Sequence, residues 1–221
     1  MVINMTIKAL VPIRLNSKRV TLKSIRKIKD IPLVEWTIRT LNEVKEIDEI
    51  IVYCSNEIIK EYINSKYTFI KRNPILDGDN QNIHNILHNL IKIDEVHADY
   101  WIIQQCTSPF IKSDTIRDVI NKVISGEYDS AFTAIRQQKH CWFNNKPLNF
   151  NPKEIGFTQL AEPIYTETSG PYMFKEKHFL DTNSRVSDNH YIKVVPFLEG
   201  IDIDDMEDFE LATIIGENYY N

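Results

Sequence analysis

Two stretches of opposite charge stand near opposite ends of this 221-residue chain. Between Arg14 and Lys29 lie Arg14, Lys18, Arg19, Lys23, Arg26, Lys27 and Lys29, with no Asp or Glu among them. Beyond Lys193 there is no Lys or Arg, while Glu199, Asp202, Asp204, Asp205, Glu207, Asp208, Glu210 and Glu217 follow. Arg14, Lys18, Arg19 and Lys23 can surround a triphosphate, and Ser17 and the loop N–H groups can add hydrogen bonds. In an extended segment Asp202 and Asp204 point to one side and Ile201 and Ile203 to the other, because side chains alternate with period two. Two carboxylates aimed outward together suit a hard cation. Asp205, Glu207 and Asp208 read more simply as a cap and acidic first turn of a helix, favoured by the helix dipole. The pair of stretches predicts a metal-complexed phosphate ligand.

Composition narrows the field. The formal net charge is -5, and one basic loop on an acidic chain lacks the broad basic face of a nucleic-acid binder. Neither a Walker A spacing nor a G-x-G-x-x-G occurs, which argues against a kinase or a dinucleotide-dependent dehydrogenase. Cys54, Cys106 and Cys141 are odd in number and widely spaced, arguing against a disulfide scaffold or structural zinc and for a reducing cytoplasm. No apolar run approaches the roughly 20 residues of a membrane span. The amino terminus, Met1 to Thr6, lacks the pattern of a secretory signal. His84 and His88 have the spacing of a zinc pair but no third ligand.

The elements that must position these residues alternate. Strands are expected at Ile7–Val11, Glu49–Ser55, Thr68–Arg72, Tyr100–Cys106, Ser130–Ile135, Pro171–Phe174 and Tyr191–Phe197. Helices are expected over Pro32–Leu41, from Glu57 to about Ser65 with Asn56 as cap, over Ile83–Ile91, from Asp114 to about Ile124 with Ser113 as cap, over Phe174–Leu180, and from Met206 to about Gly216. That order predicts right-handed βαβ crossovers and a mostly parallel sheet between two helical layers. The basic loop then leaves the carboxyl end of the first strand, where open α/β sheets bind ligands. One domain is expected over 1–221, with an inserted arm at about 138–170 that is too short for its own core. Its aromatics invite a second subunit, and His140 and Trp142 are candidates for a substrate arm. Gln104 and Gln105 end the central strand; one is expected to face ligand while the other satisfies backbone groups. Tyr165, Glu167 and Tyr172 are candidates to line an acceptor pocket, with Tyr172 equally readable as a core aromatic.

An ordered set of motifs resembles the acylneuraminate cytidylyltransferases (CMP-sialic acid synthetases), with more distant similarity to the CMP-Kdo synthetases. The family opens with a strand and a P-A-R-G-G-S-K/R-x-x-P-x-K-N loop; this chain has Pro12, Arg14, Ser17, Lys18 or Arg19, and Lys23. Then come Ile31-Pro32-Leu33-Val34-Glu35-Trp36-Thr37-Ile38, Val52-Tyr53-Cys54-Ser55, Arg72-Asn73-Pro74, Gln105-Cys106-Thr107-Ser108-Pro109, Ser169-Gly170-Pro171-Tyr172-Met173-Phe174, and a D-I-D-x-x-x-D-x-x-x-A segment from Asp202 to Ala212.

The resemblance implies a Rossmann-like, three-layer α/β/α nucleotidyltransferase that transfers CMP from CTP to the anomeric hydroxyl of a sialic-acid-like nonulosonic acid. It implies a CTP site drawn from Pro12, Arg14, Asn16, Ser17, Lys18, Arg19 and Lys23 in the loop, with Ser55, Arg72, Asp79 and Gln105 around it. Arg14 and Lys23 would act on the phosphates, Asp202 and Asp204 would hold Mg²⁺, and Gln104, Gln105, Tyr165, Glu167 and Tyr172 would meet the sugar acid. A homodimer is expected on the same basis. The alternatives are Kdo or another acid as acceptor, and a catalytically silent nucleotide-binding module. Three departures stand out: Leu15-Asn16 replaces Gly-Gly, Thr21 replaces Pro, and Ser24 replaces Asn. Side chains at 15 and 16 restrict φ, so the phosphate cradle is expected to differ in detail. Between Gln138 and Ser169 there is no Arg, only Lys139, Lys146 and Lys153. Lysine lacks the bidentate fork that arginine offers a carboxylate.

Overall fold

A computed structural model describes residues 5–154 and 156–219. Residues 1–4, on which the reading of the amino terminus rests, lie outside them. Strands β1 (Ile7–Ile13), β4 (Glu49–Cys54), β5 (Thr68–Lys71), β6 (Tyr100–Ile103), β7 (Ser130–Gln137), β10 (Ile164–Lys175) and β11 (His190–Val195) form one sheet in the order β11-β7-β10-β6-β1-β4-β5. Two small hairpins, β2 (Lys27–Ile28) with β3 (Ile31–Pro32) and β8 (Trp142–Phe143) with β9 (Lys146–Pro147), stand apart from it. The helices are α1 (Leu33–Asn42), α2 (Ile83–Lys92), α3 (Ser113–Ile124), α4 (Glu176–Thr182) and α5 (Met206–Tyr219). No helix among the described residues is long and apolar enough to cross a membrane.

β1 pairs in parallel with β4 on one side and β6 on the other. The chain order therefore reverses at β1, and the crevice outside its carboxyl end is the switch point where such sheets bind ligands. The expected mostly parallel sheet is present. Only β10 runs against its neighbours, antiparallel to both β6 and β7. This strand is longer than Pro171–Phe174, because Ile164–Glu167 also ladders with β7. The arm is correspondingly shorter than 138–170. Gly170-Pro171 accompanies a shift of register between Glu167 and Tyr172 within this one strand.

Each helix buries one apolar stripe. Val34, Ile38 and Leu41 of α1 and Ile116, Val119, Ile120 and Val123 of α3 cover one face of the sheet. Leu87, Leu90 and Ile91 of α2 and Phe179 of α4 cover the other. A fully buried side chain of this size contributes roughly 1.5–3 kcal/mol relative to exposure. A third cluster matters most for the site. Phe209, Ala212 and Ile215 of α5 pack with Ile28, Leu33, Phe110, Ile201 and Ile203. This cluster fastens the Asp202–Asp204 segment to the hairpin that follows the basic loop.

Local chemistry corrects two expectations and adds an unforeseen turn. The segment after β4 is a 3-10 run, Glu57–Tyr62, although the Asn56 carboxamide oxygen does accept from the Ile58 N–H at 3.1 Å. Ser113 is the first residue of α3 and caps nothing; instead the buried Glu199 carboxylate accepts from the Lys112 N–H and the Thr115 hydroxyl. The β2–β3 turn uses Lys29 and Asp30, both with positive φ, where a tight hairpin turn usually takes Asn-Gly.

Candidate active site

The basic loop folds over the carboxyl ends of β1 and β6. Between Arg14 and Lys23 its left-handed residue is Leu22, at φ 55, which turns the chain into a short 3-10 run over Lys23–Ile25. Leu15 and Asn16 have no positive φ. They therefore occupy, without left-handed backbone, the place where the resemblance sets two glycines. Leu15 packs against the core beneath the loop, and the Ser24 hydroxyl donates to the Arg14 carbonyl at 3.4 Å.

Two adjoining cavities open here. The first, about 360 Å³, is lined by Arg14, Ser17, Lys18, Arg19, Lys23, Gln105, Ser169 and Asp204, among others. The second, about 250 Å³, runs past Arg72, Leu76, Gly78, Asp79, Ile83 and Ile86. Pro12, Arg14 and Gln105 line both, forming a partition between a cationic basin and a less charged chamber. Four cationic side chains around one basin make a site for a polyanion.

Acidic groups partner those cations. Lys18 Nζ lies 2.5 Å from Asp79 Oδ2, and Arg14 stands 3.9 Å from the same carboxylate. The Lys18 hydrogen bond and charge hold the Asp79 carboxyl below its usual range. Arg19 Nη2 meets Asp204 Oδ1 at 2.6 Å. Lys23 donates to the carbonyl of Ile203, between the two aspartates, at 2.5 Å. The second half of the loop thus reaches the Asp202–Asp204 segment, while its first half pairs with Asp79.

Ile201 and Ile203 are buried, as the alternation requires, and the Ile203 N–H donates to the Thr107 carbonyl at 2.8 Å. Asp202 Oδ2 accepts from the Ser169 hydroxyl at 2.7 Å. Asp202 Oδ1 is buried and has no hydrogen-bond partner. An orphaned buried carboxylate oxygen is costly, and a hard cation satisfies it. Asp202 and Asp204 are all-oxygen donors on neighbouring turns of one extended segment, so they fit such an ion. No group of three or more His, Cys, Asp or Glu occurs among the described residues, leaving part of any coordination shell to ligand or water.

Several predicted site residues take supporting positions. Arg72 is only 1% exposed; it donates to the Ile13 carbonyl at 2.8 Å and forms an ion pair with Asp77. Ser55 donates to the other Asp77 oxygen, and Asn16 donates to the Asp77 carbonyl at 3.2 Å. Asp77, which the sequence analysis did not single out, ties together the ends of β1, β4 and β5. Arg72 forms part of the second cavity's wall, but its fixed partners make it a strut. Of the two glutamines, Gln105 faces both cavities; Gln104 is buried and donates to the Gln105 and Ser108 carbonyls.

The expected acceptor residues divide similarly. Tyr172 is a core residue whose hydroxyl donates to Glu167 Oε2 and to the Thr168 carbonyl. Burial, first, raises its phenol pKa. Tyr165 is exposed, opposite Arg136 on the outer part of β10, and lines neither cavity. Ser169, a motif position to which the sequence reading assigned no role, reaches the basin because Gly170 lets the strand bulge. Gly170 has φ 139, and a Cβ there would lie 2.7 Å from the Ile103 carbonyl oxygen.

Comparison with known proteins identifies the lineage of this cleft. The cytidylyltransferase family profile matches residues 8–193. The chain belongs to that family. Over 102 residues it is 29% identical to 2-C-methyl-D-erythritol 4-phosphate cytidylyltransferase of Dictyoglomus thermophilum, covering 44% of this chain and 43% of that protein. It is 25% identical over 157 residues to N-acylneuraminate cytidylyltransferase A of Danio rerio, covering 66% and 36%. The chain thus spans less than half the length of either relative. CMP-N,N'-diacetyllegionaminic acid synthase of Legionella pneumophila is 25% identical over 223 residues, covering 94% of this chain and 95% of that one. Among solved structures, CMP:2-keto-3-deoxy-manno-octonic acid synthetase complexed with CTP superposes with a TM-score of 0.69 at 12% identity, covering 96% and 98%. That likeness shows the shared nucleotidyltransferase fold.

Proposed function

We propose that this chain transfers CMP from CTP to the anomeric hydroxyl of a sialic-acid-like nonulosonic acid and releases pyrophosphate, supplying an activated sugar for surface glycan synthesis. The observation that carries the reading is the meeting of the Arg14–Lys23 loop with the Asp202–Asp204 segment at the β1 switch point: Arg19 and Lys23 reach Asp204 and the Ile203 carbonyl, and Ser169 of the basin wall holds Asp202. Family membership and the legionaminic-acid relative, matched along almost the whole chain, support the choice of nucleotide and acceptor class.

Arg14, Lys18, Arg19 and Lys23 bind the triphosphate, with Ser17 and loop N–H groups adding hydrogen bonds. Pro12 and Gln105 border the nucleotide, and Asp79 releases Lys18 and Arg14 as the phosphates arrive. The anomeric oxygen forms a bond to the α-phosphorus while the α–β phosphoanhydride bond breaks; the hydroxyl proton passes to solvent and pyrophosphate departs. Negative charge growing on the phosphoryl and leaving oxygens is met by Arg14 and Lys23, which we assign as the catalytic cations. Asp202 and Asp204 would hold Mg²⁺, which when bound supplies Lewis-acid neutralisation of phosphate charge and lowers the pKa of a coordinated hydroxyl. Ser169 keeps Asp202 oriented. Fixed positions and charge carry most of the catalysis.

The protein works as a homodimer in the reducing cytoplasm, with the apolar arm against its copy. The test is pyrophosphate release with CTP, Mg²⁺ and a panel of N-acetylneuraminic, legionaminic, pseudaminic and 2-keto-3-deoxy-manno-octonic acids. Turnover of a nonulosonic acid is expected. Turnover of the octonic acid alone would transfer the assignment to that acceptor, and CTP binding with no turnover on any acid would favour a silent nucleotide-binding module.

A further inference from the structure

The two aspartates that face the basic loop are not equally free. Asp202 keeps one buried oxygen without a partner, whereas Asp204 already has a cation: Arg19 Nη2 lies 2.6 Å from its Oδ1. Arg19 and Asp204 both line the basin, and both side chains are more than half exposed. Among the described residues Arg19 makes no other hydrogen bond or ion pair. Its guanidinium is charged at any ordinary pH, so it occupies the carboxylate that a hard cation needs. Two cations on one carboxylate repel each other, so Arg19 and a metal compete for Asp204.

The backbone on both sides of this pair is pinned, which leaves the arginine side chain as the part that moves. On the acid side, the Asp204 and Asp205 N–H groups donate to Asp208 Oδ2 at 2.8 and 3.0 Å, and the Ile203 N–H donates to the Thr107 carbonyl. On the loop side, Arg19 is followed by Val20, which is buried and whose carbonyl accepts from the Lys23 N–H at 3.2 Å. An exposed ion pair is weak, so a long side chain can leave it without unfolding the loop. The alternative partner belongs in the same basin, which Arg14, Lys18 and Lys23 also line. A guanidinium pairs with phosphate as readily as with carboxylate.

We propose that Arg19 is a positioning residue that couples the metal to the nucleotide: it holds Asp204 in the empty site and exchanges that carboxylate for a phosphate oxygen when both ligands are bound. This rests on the reading above, in which the Asp202–Asp204 segment takes a divalent cation and the loop takes a triphosphate. Without nucleotide, Arg19 gives up Asp204 to a metal and gains no partner in return, so metal alone binds weakly. With a triphosphate present, the displaced guanidinium has an anion to meet. By linkage, each ligand strengthens the binding of the other.

The experiment measures two affinities on the full chain with no acceptor present. Mn²⁺ alone is followed by paramagnetic resonance of the free ion, and the Mn²⁺–CTP complex by titration calorimetry. Wild type is compared with Arg19→Gln, Arg19→Lys and Lys18→Gln. Arg19→Gln should bind Mn²⁺ alone roughly two- to fivefold more tightly, the scale of an exposed ion pair that no longer competes. The same variant should bind the Mn²⁺–CTP complex roughly tenfold more weakly, the scale of one charge-assisted hydrogen bond. Arg19→Lys should show both changes in smaller measure. Lys18→Gln removes an equal charge without touching Asp204, so it should weaken the complex and leave Mn²⁺ alone within about twofold. Opposite signs in the one variant are the signature of an exchange, since a residue that met only phosphate would leave Mn²⁺ unchanged and one that met only Asp204 would tighten both. Unchanged Mn²⁺ affinity in Arg19→Gln, tightening of both ligands, or equal tightening of Mn²⁺ in Lys18→Gln overturns the exchange and leaves the nucleotide and metal site standing. A wild type that binds neither Mn²⁺ nor the Mn²⁺–CTP complex overturns the exchange and the site together.

Discussion

The cleft and the arm are built on opposite plans. Around the cleft, side chains from distant segments are tied to one another: Arg72, Ser55 and Asn16 on Asp77, Arg19 on Asp204, Lys23 on the Ile203 carbonyl, and Ser169 on Asp202. In the arm, Trp142, Phe143, Leu148, Phe157 and Leu160 are all more than half exposed. Its internal ties are short-range, such as His140 stacked on Phe150 and the Asn149 amide on the Lys139 and Glu162 carbonyls. A polar site that must receive a highly charged ligand is held rigid before the ligand arrives, which lowers the cost of ordering it. An apolar face left uncovered at this size is a surface awaiting a partner. One region is tied together within the chain, and the other is where the proposed second subunit would sit.

That contrast can be broken or sharpened by substitution, beginning at the metal pair. Asp202→Asn should lower kcat on the order of 10³-fold, the scale of a lost charge-stabilising group, while thermal unfolding stays near wild type. Activity within tenfold of wild type would remove Asp202 from the chemistry. Arg72→Ala should destabilise the fold by about 3 kcal/mol, because it removes the buried arginine that pairs with the mostly buried Asp77 carboxylate; urea denaturation measures it. A loss below 1 kcal/mol would mean that the strut is unimportant. In the arm, a Trp142→Ser, Phe143→Ser double variant should change monomer stability by only about 0.5 kcal/mol, yet shift sedimentation from dimer to monomer. An unaffected dimer would place the subunit contact elsewhere.

The smallest effect belongs to Asp79, which is an exposed partner of Lys18. Asp79→Asn should tighten CTP binding by roughly two- to fivefold, the range of an exposed ion pair that no longer competes for the lysine. Its pH dependence has a definite sign. The folded carboxyl pKa is lowered by Lys18, so the pair is fully formed above the ordinary carboxylate range and is lost as pH falls through the lowered value. An NMR titration placing the Asp79 carboxyl at or above its ordinary value would mean that Lys18 is free.

Much of this organisation was legible in the residues. Apolar runs such as Glu49–Cys54 and Tyr100–Ile103 can only be buried strands, and the 3.6-residue stripes of α1, α2 and α3 follow from Val34, Leu87 and Ile116 with their neighbours. The alternation at Ile201–Asp204 correctly buried the isoleucines. What could not be read locally was long-range pairing. β10 is antiparallel because it returns between β6 and β7, and no feature of Ile164–Lys175 states which strands it will meet. Arg72 and Tyr172 match motif positions that sit beside the cleft, but burial turned the first into a strut and the second into a core ring. Asp77 and Ser169 were missed because their roles come from partners 61 and 33 residues away. Leu15-Asn16 was expected to change the cradle in detail, and the left-handed backbone lies at Leu22 instead.

The central claim is that the basic loop and Asp202 form one site for CTP and its metal. It is tested most directly by equilibrium CTP binding with and without Mg²⁺ in the wild type and in Asp202→Asn. Mg²⁺ should tighten wild-type binding by at least tenfold, and the variant should lose that increment while binding metal-free CTP as well as or better than wild type. An undiminished Mg²⁺ effect in Asp202→Asn would contradict the account.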